Sequence, residues 1–213
     1  MTGLPIRLLI AAWLLLAAAP TTAGPAGTYR LIGEQDVASG LRLNEDGSFQ
    51  YFLSAGALDE EAEGRWTLAG RDLHLTTEPK PIPPSFSAGP VSLSNHAPLR
   101  LKVVWPDGRG IANVDFRIGF ESGDPLVAYT QEDGWAMSAE EKRTPLWIEL
   151  AVPMHAIESN RFLIEAAKAN DLVFILTAND LGKVDFGALR METDGDRILL
   201  HRFGQTLTYA REP

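Results

Sequence analysis

The feature that most constrains the fold of this chain is a period-two alternation of apolar and polar residues that runs from residue 28 to residue 78. Successive side chains of a β-strand point to opposite faces, so this pattern predicts half-buried antiparallel strands. We place five strands here, at residues 28–34, 41–45, 48–54, 63–68 and 72–77. Their predicted apolar positions are Tyr29, Leu31, Leu41, Leu43, Phe49, Tyr51, Leu53, Trp66, Leu68, Leu73 and Leu75.

The residues between these strands have the composition of tight turns. Asp46-Gly47 lies between the second and third strands, and Gly70 lies between the fourth and fifth. Aspartate followed by glycine tolerates the positive φ that a short hairpin turn requires. Residues 24–78 are therefore predicted to form an antiparallel meander or part of a barrel.

Proline interrupts the alternation over residues 79–98, which hold six of the fourteen prolines of the chain. Because proline lacks a backbone donor and favours an extended conformation, we interpret this segment as a stiff crossover between domains. Alternation returns over residues 99–182 and predicts a β-sandwich-like domain, in which residues 160–169 suit either a short helix or a strand. One stripe that we expect to face its core comprises Leu146, Ile148, Leu150 and Val152.

The last segment, residues 183–213, again has the pattern of β-hairpins, with a turn at Asp194-Gly195. Three C-terminal strands and five N-terminal strands make eight, which is enough to close a small barrel. We therefore predict an all-β chain, a small antiparallel β-barrel or meander plus a β-sandwich, with at most one or two short helices after the N-terminal segment. In the alternative, two β domains follow one another and residues 183–213 complete the second.

The first 23 residues have the pattern of a secretory signal peptide. Arg7 supplies a positive charge, and residues 8–19 form an apolar run that is too short to span a bilayer as a helix. Thr21 and Ala23 precede the predicted cleavage between Ala23 and Gly24. We expect a periplasmic or extracellular protein with no transmembrane segment after signal cleavage, and an uncleaved membrane anchor is the alternative.

Composition excludes several classes of function. The chain has no cysteine, which excludes disulfides, Cys-ligated metals, a thiol nucleophile and a lipoprotein anchor. The net charge of −9, or −10 once Arg7 is removed, gives no electrostatic support for binding nucleic acid. No catalytic motif or cofactor fingerprint is present, so we predict no catalytic residue, no metal and no cofactor. Metal-ligand spacing is also missing among the histidines, His74, His96, His155 and His201.

Acidic residues crowd one short segment, with carboxylates at Asp59, Glu60, Glu61 and Glu63. A calcium site needs several oxygens that converge on one point, and a loop between strands holds such side chains apart. We interpret this segment as a solvated loop that keeps a β edge from pairing with neighbours.

Two segments of the chain carry patterns that are similar to those of known families. The middle segment contains, in order, Leu101-Lys102-Val103, Asp107-Gly108, Ile111, Val114, Phe116 and Thr130-x-x-Asp133-Gly134-Trp135. This order of strand, glycine turn, strand and Thr…Asp-Gly turn resembles the carboxypeptidase regulatory-like or transthyretin-like β-sandwich, and the resemblance implies a structural or binding module without catalytic residues. The N-terminal segment resembles the lipocalin-like β-meanders of exported bacterial proteins through Leu43-x-x-Asp46-Gly47-x-Phe49 and Gly64-x-Trp66-x-x-x-Gly70-x-x-Leu73-x-Leu75.

These patterns predict a non-catalytic exported binding or structural module, whose partner would be an envelope protein, a glycan or a small ligand. The residues that we select as partner or ligand contacts are Trp66, Trp147 and Tyr51. Trp147 is expected to face outward, either to meet a partner or to pack under a neighbouring domain. An alternative function is a hydrolase with an unrecognised site. Another is a carrier of a small apolar ligand in a barrel lumen lined by Tyr29, Phe49, Tyr51, Trp66 and Leu75.

Overall fold

The computed structural model describes residues 24–95, 97–165 and 167–213, so the expected signal peptide, residues 1–23, lies outside the described residues. The chain begins with five strands, each antiparallel to the next. They are β1 (Gly27–Ile32), β2 (Val37–Leu43), β3 (Ser48–Ala55), β4 (Leu58–Ala69) and β5 (Asp72–Thr77). The predicted meander is confirmed, but β4 begins five residues before the predicted start at residue 63, so the acidic segment is part of a strand and not a loop.

The middle of the chain forms two further sheets. Their elements are β6 (Ser85–Ser92), β7 (Arg100–Val104), β8 (Asp115–Phe120), β9 (Leu126–Tyr129), β10 (Trp135–Ala136), β11 (Pro145–Val152), the 3₁₀ helix η1 (Pro153–His155), β12 (Ile157–Glu158), β13 (Phe162–Leu163) and β14 (Asp171–Thr177). One sheet has the order β10-β7-β14-β6, with β7 and β14 parallel. The other has the order β12-β11-β8-β9, and β13 also pairs with β11.

These two sheets share one apolar core. Each sheet contributes its inward residues by alternation, for example Leu101 and Val103 from β7, and Phe116 and Ile118 from β8. Burial of such side chains is the main favourable contribution to the stability of a domain without disulfides.

Two expectations for the middle segment need correction. Part of the Pro-rich crossover, residues 79–98, forms the strand β6, because Pro90 lies at a register shift in an edge strand where no ladder donor is needed. Leu146 is exposed although we expected it in the core. The register of β11 on β8 shifts between Pro145 and Trp147, so that Pro145 is buried in its place.

The ambiguous segment, residues 160–169, contains the short strand β13 (Phe162–Leu163) followed by a turn. Ala166 lies outside the described residues. Over the parts of the chain that the structure describes, η1 is the only helix, which agrees with the predicted upper limit of one or two.

Three C-terminal strands close the barrel. They are β15 (Gly187–Asp194), β16 (Arg197–Arg202) and β17 (Gln205–Arg211). β15 pairs with β5 and β17 pairs with β1, which gives the closed antiparallel order β1-β17-β16-β15-β5-β4-β3-β2. The predicted all-β fold with an eight-stranded barrel is confirmed, and the strands of that barrel come from the two ends of the described chain.

Two chain segments connect the barrel to the sandwich, and side chains tie one to the other. The Thr77 hydroxyl donates to the Val184 carbonyl at 2.8 Å and accepts from the Phe186 N–H. Farther along, the Asp180 carboxylate accepts the Ile82 N–H at 2.8 Å and lies 3.2 Å from the Lys183 ammonium. We call residues 78–84 and 178–186 the neck.

Candidate functional site

The barrel interior holds most of the residues that we expected to line a lumen. Tyr29, Phe49, Tyr51 and Leu75 are buried there, and Trp66 is half-buried. They pack with apolar side chains from the C-terminal strands, among them Met191, Leu200 and Leu207. Because these side chains fill the space between the strands, the interior is a packed core.

Tyr51, a predicted contact, belongs to a buried polar cluster at the barrel end that faces the neck. Its ring packs edge-on against Phe186 at a centroid distance of 5.1 Å, and its hydroxyl lies 3.3 Å from the Arg202 guanidinium. Burial raises the pKa of the Tyr51 hydroxyl well above its ordinary value, and nearby Tyr209 acts in the same direction. Tyr51 therefore has a neutral hydroxyl, and its side chain is buried, with 3% of its surface exposed.

The centre of this cluster is an ion pair between Arg202 and Glu60. Two guanidinium nitrogens bind the two carboxylate oxygens at 2.5 and 3.0 Å, and both side chains are largely buried. Burial is the largest single influence and lowers the pKa of Arg202, but the hydrogen bonds that Arg202 donates to Glu60, the Glu60 charge and the contact with Tyr51 together outweigh it, so the net pKa is raised. The pair joins the end of β16 to β4, two strands that do not pair and that are separated by β15 and β5 in the barrel order.

From the sequence we did not distinguish Glu60, which forms a buried ion pair, from its solvated acidic neighbours. The signal that could have found it is its spacing from Ala62, since residues two apart in a strand share a face and Ala62 is buried in the barrel. The neighbouring acids Asp59, Glu61 and Glu63 alternate to the exterior, where they are solvated as expected for carboxylates.

A second tyrosine–arginine pair occupies the other barrel end. The Arg211 guanidinium donates to the Tyr29 hydroxyl at 2.7 Å and to the Ala26 carbonyl at 2.6 Å. The Tyr29 hydroxyl in turn donates to the Pro25 carbonyl at 2.7 Å. Residues 24–26 therefore lie across this end of the barrel and are held there by side chains of β1 and β17.

Trp66, the second predicted contact, is also a packing residue. Its indole Nε1–H donates to the Asn44 carbonyl at 2.9 Å, and its strand partner is the fully buried Leu75. This geometry ties the turn after β2 to β4 and leaves the indole edge without a free donor.

Trp147, the third predicted contact, lies on the solvent side of β11, as expected from the alternation. Asp115, Arg117, Val127, Tyr129, Trp147, Glu149 and Leu163 point the same way from adjacent strands and form what we call the outer sheet face. Val127 is 70% exposed, Leu163 is 82% exposed and Tyr129 is 54% exposed. Only Trp147 of this group was selected from the sequence, because the other residues become neighbours only through strand pairing.

The indole of Trp147 is fixed on both of its faces. One face lies over Gly119, where a Cβ atom would come within 1.9 Å of the ring. The other face is covered by the Arg161 guanidinium, 3.8 Å from the ring centroid. Trp147 is therefore packed between Gly119 and Arg161 and does not offer a free ring face to a ligand.

A charge ladder runs across the centre of the outer sheet face. Glu149 accepts two hydrogen bonds from Arg161, at 2.9 and 3.0 Å, and lies 3.7 Å from Arg117. Beside it is a shallow groove of about 370 Å³ between Val127 and Glu158. The face thus combines ordered charges at its centre with apolar side chains at both margins, on β9 and β13.

No group of three or more potential metal ligands comes together among the described residues. Within the same ranges, no helix is long and apolar enough to cross a membrane. The chain matches no protein-family model, no curated protein and no solved structure.

Proposed function

We propose that the protein is a non-catalytic exported module whose outer sheet face binds another protein of the cell envelope. The observation that carries this proposal is the composition of that face. Trp147, Tyr129 and two arginines lie together on one sheet surface, and these are the residue types that contribute most to protein interfaces.

The width of the face favours a protein over a small ligand or a glycan. Three strand spacings separate β9 from β13, or about 14 Å at roughly 4.8 Å per strand. The exposed apolar residues Val127 and Leu163 stand at these two margins. Sugars commonly stack on an open aromatic ring, and here both faces of Trp147 are covered, which leaves Tyr129 as the exposed ring of this surface.

The packed barrel weighs against the carrier alternative. A lipocalin-like carrier needs a cavity of several hundred Å³ lined by apolar side chains. Here the same side chains, including Tyr29, Phe49 and Leu207, fill the interior and bury one another. The barrel is better suited to a structural support for the sandwich.

Site-specific photo-crosslinking in intact cells of the source organism tests the binding function. A photoreactive residue at Val127 or at Leu163 should capture the same envelope protein, since both positions lie on the outer sheet face. The matched control is the same probe at Thr67, an exposed position on the barrel wall. Absence of a common product from residues 127 and 163, or an equal yield from residue 67, would contradict the proposal.

The export part of the proposal has a separate test. We expect the protein isolated from the periplasm or the culture medium to begin at Gly24. Mass spectrometry of the intact protein and of its N-terminal peptide measures this directly. A protein that retains residues 1–23 and remains in the cytoplasm would overturn the export part and leave the binding test unaffected.

A further inference from the structure

Three adjacent strands place one row of side chains across the groove beside the charge ladder. Asp115 of β8 pairs with Ala151 of β11, and Ala151 in turn pairs with Glu158 of β12. Because directly paired residues point to the same face of a sheet, the two carboxylates stand on either side of the small Ala151 methyl group. All three residues line the groove of about 370 Å³. The groove therefore has an apolar floor between two acidic walls.

These two carboxylates carry the unmatched charge of the groove. Neither Asp115 nor Glu158 has a side-chain hydrogen bond or an ion pair with any described residue. The third carboxylate that lines the groove, Glu149, is matched within the chain by Arg117 and Arg161. Since a cleft with unmatched charges of one sign attracts the opposite charge, the groove favours a cationic group.

The shape of the groove favours a guanidinium group among cations. About 10 Å separates the Cα atoms of Asp115 and Glu158, which is two strand spacings of about 4.8 Å. A guanidinium group is planar and carries N–H donors on all sides, so it can donate to one carboxylate on each side. Calcium takes about six to eight oxygen ligands, and no group of three or more potential metal ligands comes together in the described ranges.

Tyr129 adds an aromatic ring to this row. It lies on β9 directly opposite Asp115, and it is 54% exposed. An arginine that enters the groove can place its guanidinium against such a ring. Val127, which lines the groove and is 70% exposed, offers an apolar surface to the methylene groups of the same arginine.

We propose that the protein partner of the outer sheet face inserts an arginine side chain into this groove, between Asp115 and Glu158 and beside Tyr129. The inference rests on the proposed function and names the chemistry of the partner, whose contact surface presents an arginine. Charge pairs of this kind fix the orientation of two proteins and exclude partners that present a carboxylate at the same point.

Nuclear magnetic resonance tests the groove without the partner. N-acetyl-arginine amide, added to the isotope-labelled protein without residues 1–23, should produce saturable shifts of the backbone amides of residues 115, 151 and 158. The uncharged N-acetyl-glutamine amide should not. Asp115→Asn combined with Glu158→Gln should weaken arginine binding at least about fivefold. The matched control is Asp59→Asn with Glu63→Gln, which removes two charges from the barrel exterior and should bind like the wild type. Shifts spread over acidic residues in general, or binding unchanged in the groove variant, would overturn the proposal.

Photo-crosslinking tests the partner. With the photoreactive residue at position 163, the groove variant Asp115→Asn with Glu158→Gln should give at least about tenfold less product with the envelope protein. Ala151→Arg, which fills the groove with the chain's own guanidinium, should have the same effect, whereas Ala151→Ser should not. An unchanged yield in the groove variant and in Ala151→Arg would overturn the arginine and leave the proposed function standing. Absence of a product from the otherwise unchanged chain would overturn both.

Discussion

At the scale of single residues, the barrel depends on two tyrosine–arginine clusters, one at each end. The cluster of Arg202 contains a largely buried ion pair with Glu60, and the pair is satisfied by two hydrogen bonds. A buried pair of this kind is costly to break, because the remaining partner is left as an isolated charge. The pair therefore ties β16 to β4 near the neck.

Glu60→Ala should therefore lower the free energy of unfolding by about 3 kcal/mol, since Arg202 loses its counter-ion in a desolvated site. Urea unfolding followed by circular dichroism measures this. In the double variant Glu60→Met with Arg202→Met, no buried charge remains, and most of the stability should return. A single variant as stable as the wild type would show that water satisfies Arg202.

Gly119 is a position where the neighbouring side chain, Trp147, leaves no room for a Cβ atom. A methyl group here would meet the Trp147 indole at 1.9 Å, so Gly119→Ala should displace the ring and destabilise the sandwich by about 1–3 kcal/mol. We expect a red-shifted tryptophan emission together with a lower urea midpoint. Gly187→Ala is the control, because a Cβ atom there has no neighbour within 4 Å. Unchanged emission in Gly119→Ala would contradict the described position of Trp147.

At the scale of elements, register shifts decide which side chains face the core. In β11 the shift between Pro145 and Trp147 exposes Leu146 and buries Pro145, which simple alternation does not foresee. In β6 the shift near Pro90 allows a proline-containing segment to remain in a sheet. Alternation is a local property, whereas a bulge appears only when two strands are paired.

The neck is the element whose stability should depend on pH. The Ile82 N–H, and then Lys183, hold the pKa of Asp180 below its ordinary value. The folded pKa is therefore lower than the unfolded one, and the stabilisation is complete above the unfolded value of about 4 and is lost as the pH falls through the folded value.

Asp180→Asn should accordingly be less stable than the wild type at pH 7, and the difference should shrink as the pH is lowered below about 4. Thermal unfolding at a series of pH values measures it. Asp133→Asn, at an exposed turn before β10, serves as the control and should not differ from the wild type in this way. A difference that is constant down to pH 2 would exclude a role for the Asp180 charge.

At the scale of the whole molecule, the sandwich is inserted between the fifth and sixth strands of the barrel in chain order. The insertion begins and ends at adjacent points, because Thr77 of β5 is hydrogen-bonded to Phe186 just before β15. The barrel and the sandwich have separate apolar cores. Each unit therefore has the packing that an independently folding unit requires.

A chain in which a short Gly/Ser linker joins residue 78 to residue 184 should fold into the barrel, because its strands lose no partner. Residues 24–182 alone should not form the barrel, since β1 would lack β17 and β5 would lack β15. Circular dichroism and urea unfolding compare the two. Two results would contradict this expectation: a barrel that unfolds cooperatively in residues 24–182, or a linked chain that shows no cooperative unfolding. Either would show that the C-terminal strands do not close the barrel as described.

The sequence by itself determined the all-β class, the five-strand meander and most of its inward side chains, because alternation and turn chemistry are local. The count of five N-terminal and three C-terminal strands was also compatible with a closed barrel, but two β domains in tandem remained an alternative. Only the tertiary structure decided that β15 pairs with β5 and β17 with β1. It also decided that Glu60 meets Arg202 and that Val127, Trp147 and Leu163 share one face. The physical reason is that these contacts join residues far apart in the chain, and a two-residue period specifies which face a side chain takes but not which strand lies beside it.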